Sequence, residues 1–274
     1  MSIRRSLIAF VLMVLSLAMV VPFFLMLSMA LKTPHEIDTS SPWSLPAHPT
    51  LENFRAVLTN PNVSFPLFFK NSLMVALFST LGVLLSASMA AFAFARLQFP
   101  GRERWFMILL STMMLPGIVT MIPAFVLFKY LHWVDTFLPL TVPAFLGGGA
   151  FNIFLLRQFF MGIPREIDEA ACLDGASNST VFWRLIMPNS GAALATVGVF
   201  TFIASWRDFL GPLIYLNDPD KQTLEVGLQT YRTLTNEQWH LLMAGSVLVM
   251  IPLIVIFFVG QRYFIKGLVM TGGK

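Results

Sequence analysis

Six uncharged apolar runs, each long enough to cross a bilayer, constrain this chain more than any other feature. They are Leu7 to Leu31, Asn71 to Ala95, Trp105 to Phe128, Thr136 to Leu156, Leu185 to Trp206 and His240 to Gln261. A hydrocarbon core of ~30 Å takes about 20 helical residues. Lipid offers the backbone no hydrogen-bond partner, and the runs lack the period-two alternation of a barrel strand. Each must therefore satisfy itself as a helix. The expected fold is all-α: a polytopic membrane protein with six transmembrane helices in a single domain, 1–274. The spans are expected at 8–30, 71–95, 105–128, 137–156, 189–210 and 240–261. Composition agrees, because 12% charged residues is half of the roughly 25% that covers a globule in water.

Arg4 and Arg5 precede the first run, and Ser28-Met29-Ala30 resembles a signal-peptide cleavage site. The run is longer than a signal core of roughly 7–15 residues, and five more follow, so the expectation is an uncleaved first span. Lys and Arg set the orientation. With the N-terminus inside, the inner segments hold 11 of the 18 basic residues and five of the 14 acidic ones. This places both termini and the loop Pro164 to Pro188 in the cytoplasm. The outer segment Lys32 to Lys70 is rich in Pro and Ser, with a short helix expected near Leu51 to Leu58. Pro22, Pro116, Pro123, Pro143, Pro212 and Pro252 lie within or beside the spans. They either kink their helices or reflect the ordinary frequency of proline in membrane helices. Gly147-Gly148-Gly149 either admits a neighbouring helix or breaks the fourth span.

Catalytic motifs are missing. His35, His48, His132 and His240 stand apart, and there is no GxSxG and no GxxxxGK[ST] phosphate loop. The one cysteine, Cys172, excludes an internal disulfide and a cysteine metal cluster. No basic cluster suggests nucleic acid. No Asp, Glu, Lys or Arg falls inside the six runs, which counts against an ion-coupled carrier. Uphill transport by such a chain needs energy from another subunit. A self-contained carrier, or a lipid-acting enzyme using the acidic group Glu166 to Asp174, remain as rivals.

The loop PREIDEAACLDGASNSTVFWRLIMP (Pro164 to Pro188) is polar, small-residue-rich and helical in pattern. Pro164 suits a first helical turn, and Glu166, Asp168 and Glu169 suit the positive end of a helix. Ile167, Ala170, Ala171 and Asp174 share one face. Gly175 suits a left-handed cap. Ser177 or Asn178 can cap a second helix in which Val181, Phe182, Leu185 and Ile186 form an apolar stripe, and Pro188 turns the chain into the fifth span. The product is a helix-turn-helix that either enters a groove on a partner or lies against the bilayer or the chain's own helices.

Here the sequence resembles the permease subunits of ATP-binding-cassette importers. The EAA motif of that family is matched by Glu169-Ala170-Ala171, Gly175 and Leu185-Ile186-Met187-Pro188, with spacing kept. Leu51 to Phe54 (LENF), Asn71-Ser72-Leu73, Ala95 to Arg102 (ARLQFPGR), Phe209 to Asp218 (FLGPLIYLND) and the tail KGLVMTGGK look like the carbohydrate-uptake group, and within it the six-span, maltose-type second permease. Arg207 departs from that pattern, where Asn commonly follows Trp206; it either alters the outer vestibule or snorkels to water.

The resemblance implies a sugar-uptake pathway formed with a second permease in a bacterial or archaeal cytoplasmic membrane. It implies two cytoplasmic ATPase subunits that bind the ATP, so that this chain is no enzyme and carries no cofactor, and an outside solute-binding protein. It makes Glu169, Ala170, Ala171, Asp174, Gly175 and Pro188 the ATPase-coupling residues. Phosphate, amino acid, peptide or metal is the alternative cargo. Asn71, Ser72, Asn152, Gln158, Ser205 and Trp206 are candidates to line the substrate path, or else hydrogen-bond between helices.

Overall fold

The computed structural model describes residues 3–60, 63–233 and 238–271. The side chains of Arg4, Arg232 and residues 262–271 lie outside the described residues, as do Glu237 and 272–274, so the side chains of the tail KGLVMTGGK are not among them. The described elements are helices: α1 (Ile3–Ala30), α2 (Pro34–Thr39), α3 (Glu52–Thr59), α4 (Phe65–Arg96), α5 (Arg102–Ser111), α6 (Gly117–Tyr130), α7 (Leu138–Phe145) and α8 (Ala150–Gly162). There follow α9 (Glu166–Leu173), α10 (Asn178–Val181), α11 (Met187–Asn189), α12 (Gly191–Trp206), α13 (Leu210–Tyr215), α14 (Leu224–Thr233) and α15 (Trp239–Thr271). Two compact units divide the chain, Met1–Phe69 with Leu224–Pro252 and Lys70–Thr223 with Leu253–Lys274.

Among the described residues, four helical stretches are long and apolar enough to span without a sharp bend: Arg5–Ala30, Phe65–Arg96, Leu138–Gly162 and Trp239–Gln261. The third run is a bent pair, Arg102–Met114 meeting Gly117–Tyr130 at 99°, so Pro116 does kink it. Asn178–Asn189 meets Gly191–Trp206 at 79°, two residues past Pro188, where the chain was expected to turn into the fifth span. The first bend has a local cause. Proline disfavours the helical region for the residue before it, and Leu115, preceding Pro116, is extended at φ −78°, ψ 119°. Pro22, Pro123, Pro143 and Pro252 are accommodated inside helices.

In the first unit, the end of α1 is capped by side chains. Asn53 Nδ2 donates to the carbonyls of Ala30 and Lys32, both at 2.8 Å, groups a helix terminus otherwise leaves bare. Lys32, 1% exposed, donates to Ser40 Oγ, the Ser41 carbonyl and Ser44 Oγ. Thr33 and Glu36 form a capping box at the start of α2. The Thr33, His48 and Ala47 amides hold the Glu36 carboxyl below its ordinary range. The short helix expected near Leu51 to Leu58 is α3.

In the second unit, α4 carries the core. Its Ala87, Ala91, Phe92 and Ala95 are buried with Leu156 and Phe160 of α8, Val181 of α10 and Val197 of α12. Small residues let the backbones approach. Gly148, at φ +63°, sits where a Cβ would stand 2.6 Å from Ala87 Cβ. Both expectations for the glycine run therefore hold: it breaks the helix between α7 and α8, and it seats that break on α4. The break leaves the Ala144 carbonyl without its helical partner, and Ser86 Oγ donates to it at 2.7 Å. Ser79 Oγ adds a second tie to α7, donating to the Leu140 carbonyl at 2.8 Å.

Candidate functional site

The stretch between α8 and α12 folds as the pattern predicts, with one shift at its start. Arg165 is the N-cap of α9, so Pro164 lies just before the helix instead of in its first turn. Glu166, Asp168 and Glu169 occupy that turn. α9 ends in a Schellman motif: the Ala176 amide donates to the Ala171 carbonyl at 2.9 Å and the Gly175 amide to Cys172 at 3.0 Å. This requires the left-handed backbone of Gly175, φ +82°, which only glycine adopts without cost. Ser177 caps α10, its Oγ accepting from the Thr180 amide.

Val181, Phe182 and Ile186 are buried and Leu185 packs against the same core, so the second helix turns its apolar stripe inward. Phe182 meets Phe92 of α4 at 5.2 Å between ring centroids. Phe182–Ile186 is wound as a π turn. The wider turn comes just before Pro188, whose ring clashes with the Arg184 carbonyl in a regular α-helix.

α9 divides its residues differently from the face expected for it. Ala171 packs against the core and Asp168 is partly buried, whereas Glu166, Ile167, Glu169, Ala170, Cys172 and Asp174 are exposed. Gly175 and Pro188 are exposed as well. Leu173, which pattern reasoning passed over, is 90% exposed. Its place just before the Asp174-Gly175 cap was the available signal.

Two arginines anchor this loop. Arg96, at the end of α4, donates from Nη2 to the carbonyls of Phe160 and Ile163 at 2.7 and 2.8 Å. Its Nη1 stands 3.2 Å from Asp168 Oδ2. Arg157, on α8, donates back from Nε to the Phe94 carbonyl at 3.3 Å and from Nη2 to both oxygens of Glu103 at 3.2 Å. The Arg157 guanidinium lies 4.0 Å from the centroid of the Phe106 ring.

The path candidates are engaged locally. Asn71 donates from Nδ2 to the carbonyls of Asp220 and Gln222 at 2.8 and 3.0 Å. Asn152 Nδ2 donates to the Gly148 carbonyl at 2.8 Å, closing the glycine break. Ser72 is buried and Gln158 exposed. Ser205 is half-buried, and Trp206, fully buried, stacks on Phe202. Arg207 is exposed. Near Asn71, the loop after α13 is tied to the turn before α7. Asp135 accepts from the amides of Asn217 and Asp218 and from Lys221 Nζ, all within 3.0 Å. The Lys221 hydrogen bond, with those amides, holds the Asp135 carboxyl below its usual range, and the same bond raises Lys221.

Known proteins bear on this arrangement. Residues 82–269 match the family described as binding-protein-dependent transport system inner membrane component. The chain is 32% identical to the arabinooligosaccharides transport system permease protein of Bacillus subtilis (strain 168), covering 100% of this chain and 97% of that one. It is 33% identical to the trehalose/maltose transport system permease protein of Thermococcus litoralis, over 80% and 79% of the two chains. The sn-glycerol-3-phosphate transport system permease protein of Yersinia pestis is 34% identical, over 79% and 77%. In structure, the chain superposes on one from a bacterial ABC transporter involved in the import of the acidic polysaccharide alginate, with a TM-score of 0.85, 24% identity and 96% of each chain covered. That likeness concerns the fold.

Proposed function

The chain belongs to the family of binding-protein-dependent transport system inner membrane components, and on that premise we propose that it is the sugar-importing permease whose α9 receives the motion of a separate ATPase. One observation carries this reading: a short helix, ended by a glycine in the left-handed region, that exposes Glu169, Ala170, Leu173 and Asp174 together. The small Ala170 and Gly175 allow close approach of a partner surface, Leu173 fills an apolar hollow on it, and Glu169 and Asp174 pair with its basic groups. No atom lies within 4 Å of a Cβ at Gly175, so the chain keeps that space open on its own side.

The accompanying topology has both termini and α9 in the cytoplasm, six crossings in one permease domain, and the third and fifth crossings bent. The placement of the termini and of α9 follows the charge bias of the sequence. A second permease completes the pathway, two ATPase subunits bind the ATP, and an outside receptor delivers the solute. An oligosaccharide is the preferred cargo. Two of the relatives above are named for sugars, and no Lys or Arg falls in the apolar runs, which suits an uncharged solute better than a phosphate ester. Binding of sugars against glycerol phosphate by the cognate receptor decides between them. Asn71, Asn152, Ser205 and Trp206 serve this path by shaping its walls.

Glu169→Lys and Gly175→Asp test the docking role in the intact importer. Both variants are expected to insert normally, to lose solute uptake, and to co-purify less ATPase. Normal uptake with normal co-purification in either one refutes the reading.

A further inference from the structure

Resting on the reading that α9 receives the ATPase, we infer that Arg96 and Arg157 form a crossed clamp that makes α9, α5 and the C-terminal ends of α4 and α8 move as one body, with Arg96 and Asp168 positioning the coupling helix. The two arginines are reciprocal. Each sits on one helix and satisfies backbone carbonyls at the end of the other: Arg96 those of Phe160 and Ile163, Arg157 that of Phe94. These carbonyls belong to helix termini, where backbone partners run short, although Phe160 also accepts from the Ile163 amide at 3.2 Å; the dipole there favours a cation. Each arginine then holds a carboxylate on the next helix outward, Asp168 on α9 and Glu103 on α5. Four helices are thereby joined through two guanidinium groups.

Burial gives the clamp its stiffness. The side chains of Arg96 and Arg157 are 4% and 9% exposed, and Asp168 is 18% exposed; Glu103, 59% exposed, makes the α5 arm the looser one. Removing a partner from a charge so enclosed leaves it uncompensated, which is far costlier than losing a surface ion pair. A push on α9 is therefore carried into α4 and α8 in preference to opening the Arg96–Asp168 contact. The pair also retains unused capacity: Arg96 Nε and Asp168 Oδ1 are both buried without a hydrogen-bond partner.

The lone cysteine offers a direct probe, because Cys172 is exposed on α9. A nitroxide is placed there in the full chain, assembled with its second permease in nanodiscs. Asp168→Asn preserves the side-chain shape and removes the charge; Arg96→Gln removes the other half; Asp168→Glu restores the charge. Transport per ATP hydrolysed is measured on the unlabelled importer. In Asp168→Asn and Arg96→Gln the nitroxide is expected to become more mobile. Transported solute per ATP is expected to fall at least several-fold with the KM for ATP unchanged, and Asp168→Glu is expected to recover both. An unchanged nitroxide spectrum in both variants overturns the clamp, as does an unchanged transport-per-ATP ratio once the helix has loosened. Addition of the ATPase subunits to wild type separates the two readings. If they fail to immobilise the nitroxide while the variants still loosen it, the docking role of α9 fails and the tether remains.

Discussion

Replacing Gly148 by alanine should cost this protein much more than the same change one residue earlier. Gly148 has φ +63°, and a Cβ there would lie 2.6 Å from Ala87 Cβ, 2.8 Å from Ala87 N and 2.9 Å from Ser86 Oγ. Two penalties combine. The left-handed backbone costs an L-residue about 1–2 kcal/mol, and overpacking against α4 costs about 1–3 kcal/mol. Restriction of the unfolded chain returns roughly 0.4–1 kcal/mol, so the net loss is about 1–4.5 kcal/mol. For a chain of this length that lowers the melting temperature by about 2–8 °C. At Gly147 a Cβ meets nothing within 4 Å, and Gly147→Ala should stay within ~0.5 kcal/mol of wild type. Thermal unfolding of the purified full chain in one detergent, followed by intrinsic tryptophan fluorescence, compares the two. Equal shifts for Gly147→Ala and Gly148→Ala would show that close packing of the glycine break on α4 does not hold this fold together.

Two further outcomes follow from contacts elsewhere. Asn53→Ala strips the caps from the Ala30 and Lys32 carbonyls and should lower stability by about 1–3 kcal/mol, read in the same melting experiment; no shift means that water replaces the amide. The lowered pKa of Asp135 has a definite sign: its stabilisation is present above the ordinary carboxylate value of 3.8 and is lost as pH falls through the depressed folded value. Raised Lys221 loses its share only as pH climbs past its own folded value, beyond 10.5. Melting curves of wild type should therefore drop on acidification below about pH 4, and those of Asp135→Asn should start lower and converge with them. Parallel curves at all pH values would remove Asp135 from the acid response.

Local chemistry was legible in the sequence and distant chemistry was not. The Gly175 cap, the Ser177 cap and the inward stripe of Val181, Phe182 and Ile186 depend on neighbours within a turn or two, and the pattern stated all three. Asp168 was legible only as a charge at a helix start, because a dipole preference and a buried ion pair look alike until Arg96 is seen beside it. Arg157 counted as one more positive charge on the cytoplasmic side, yet it is buried on the Phe94 carbonyl, which no side-chain pattern records. The bend at Leu115-Pro116 had its signal in the proline, but uniform hydropathy on both sides masked it. The bend at Ser190-Gly191 had a weaker one. Among the path candidates, Asn71 and Asn152 owe their positions to carbonyls freed by loops and breaks, which hydropathy does not reveal.

The helix α1 has a consequence for how such a chain can diversify. None of the apolar window in Arg5–Ala30 is buried inside the chain, while its last turn is fastened through Asn53 and the end of the helix leads into the Lys32 loop. It resembles a pennant secured at its hoist. Most of its surface meets no other part of this chain, so residues there can change without repacking the chain's own interior. Substitutions can therefore accumulate along α1 at little expense to folding, and two chains can share this fold while presenting different surfaces there.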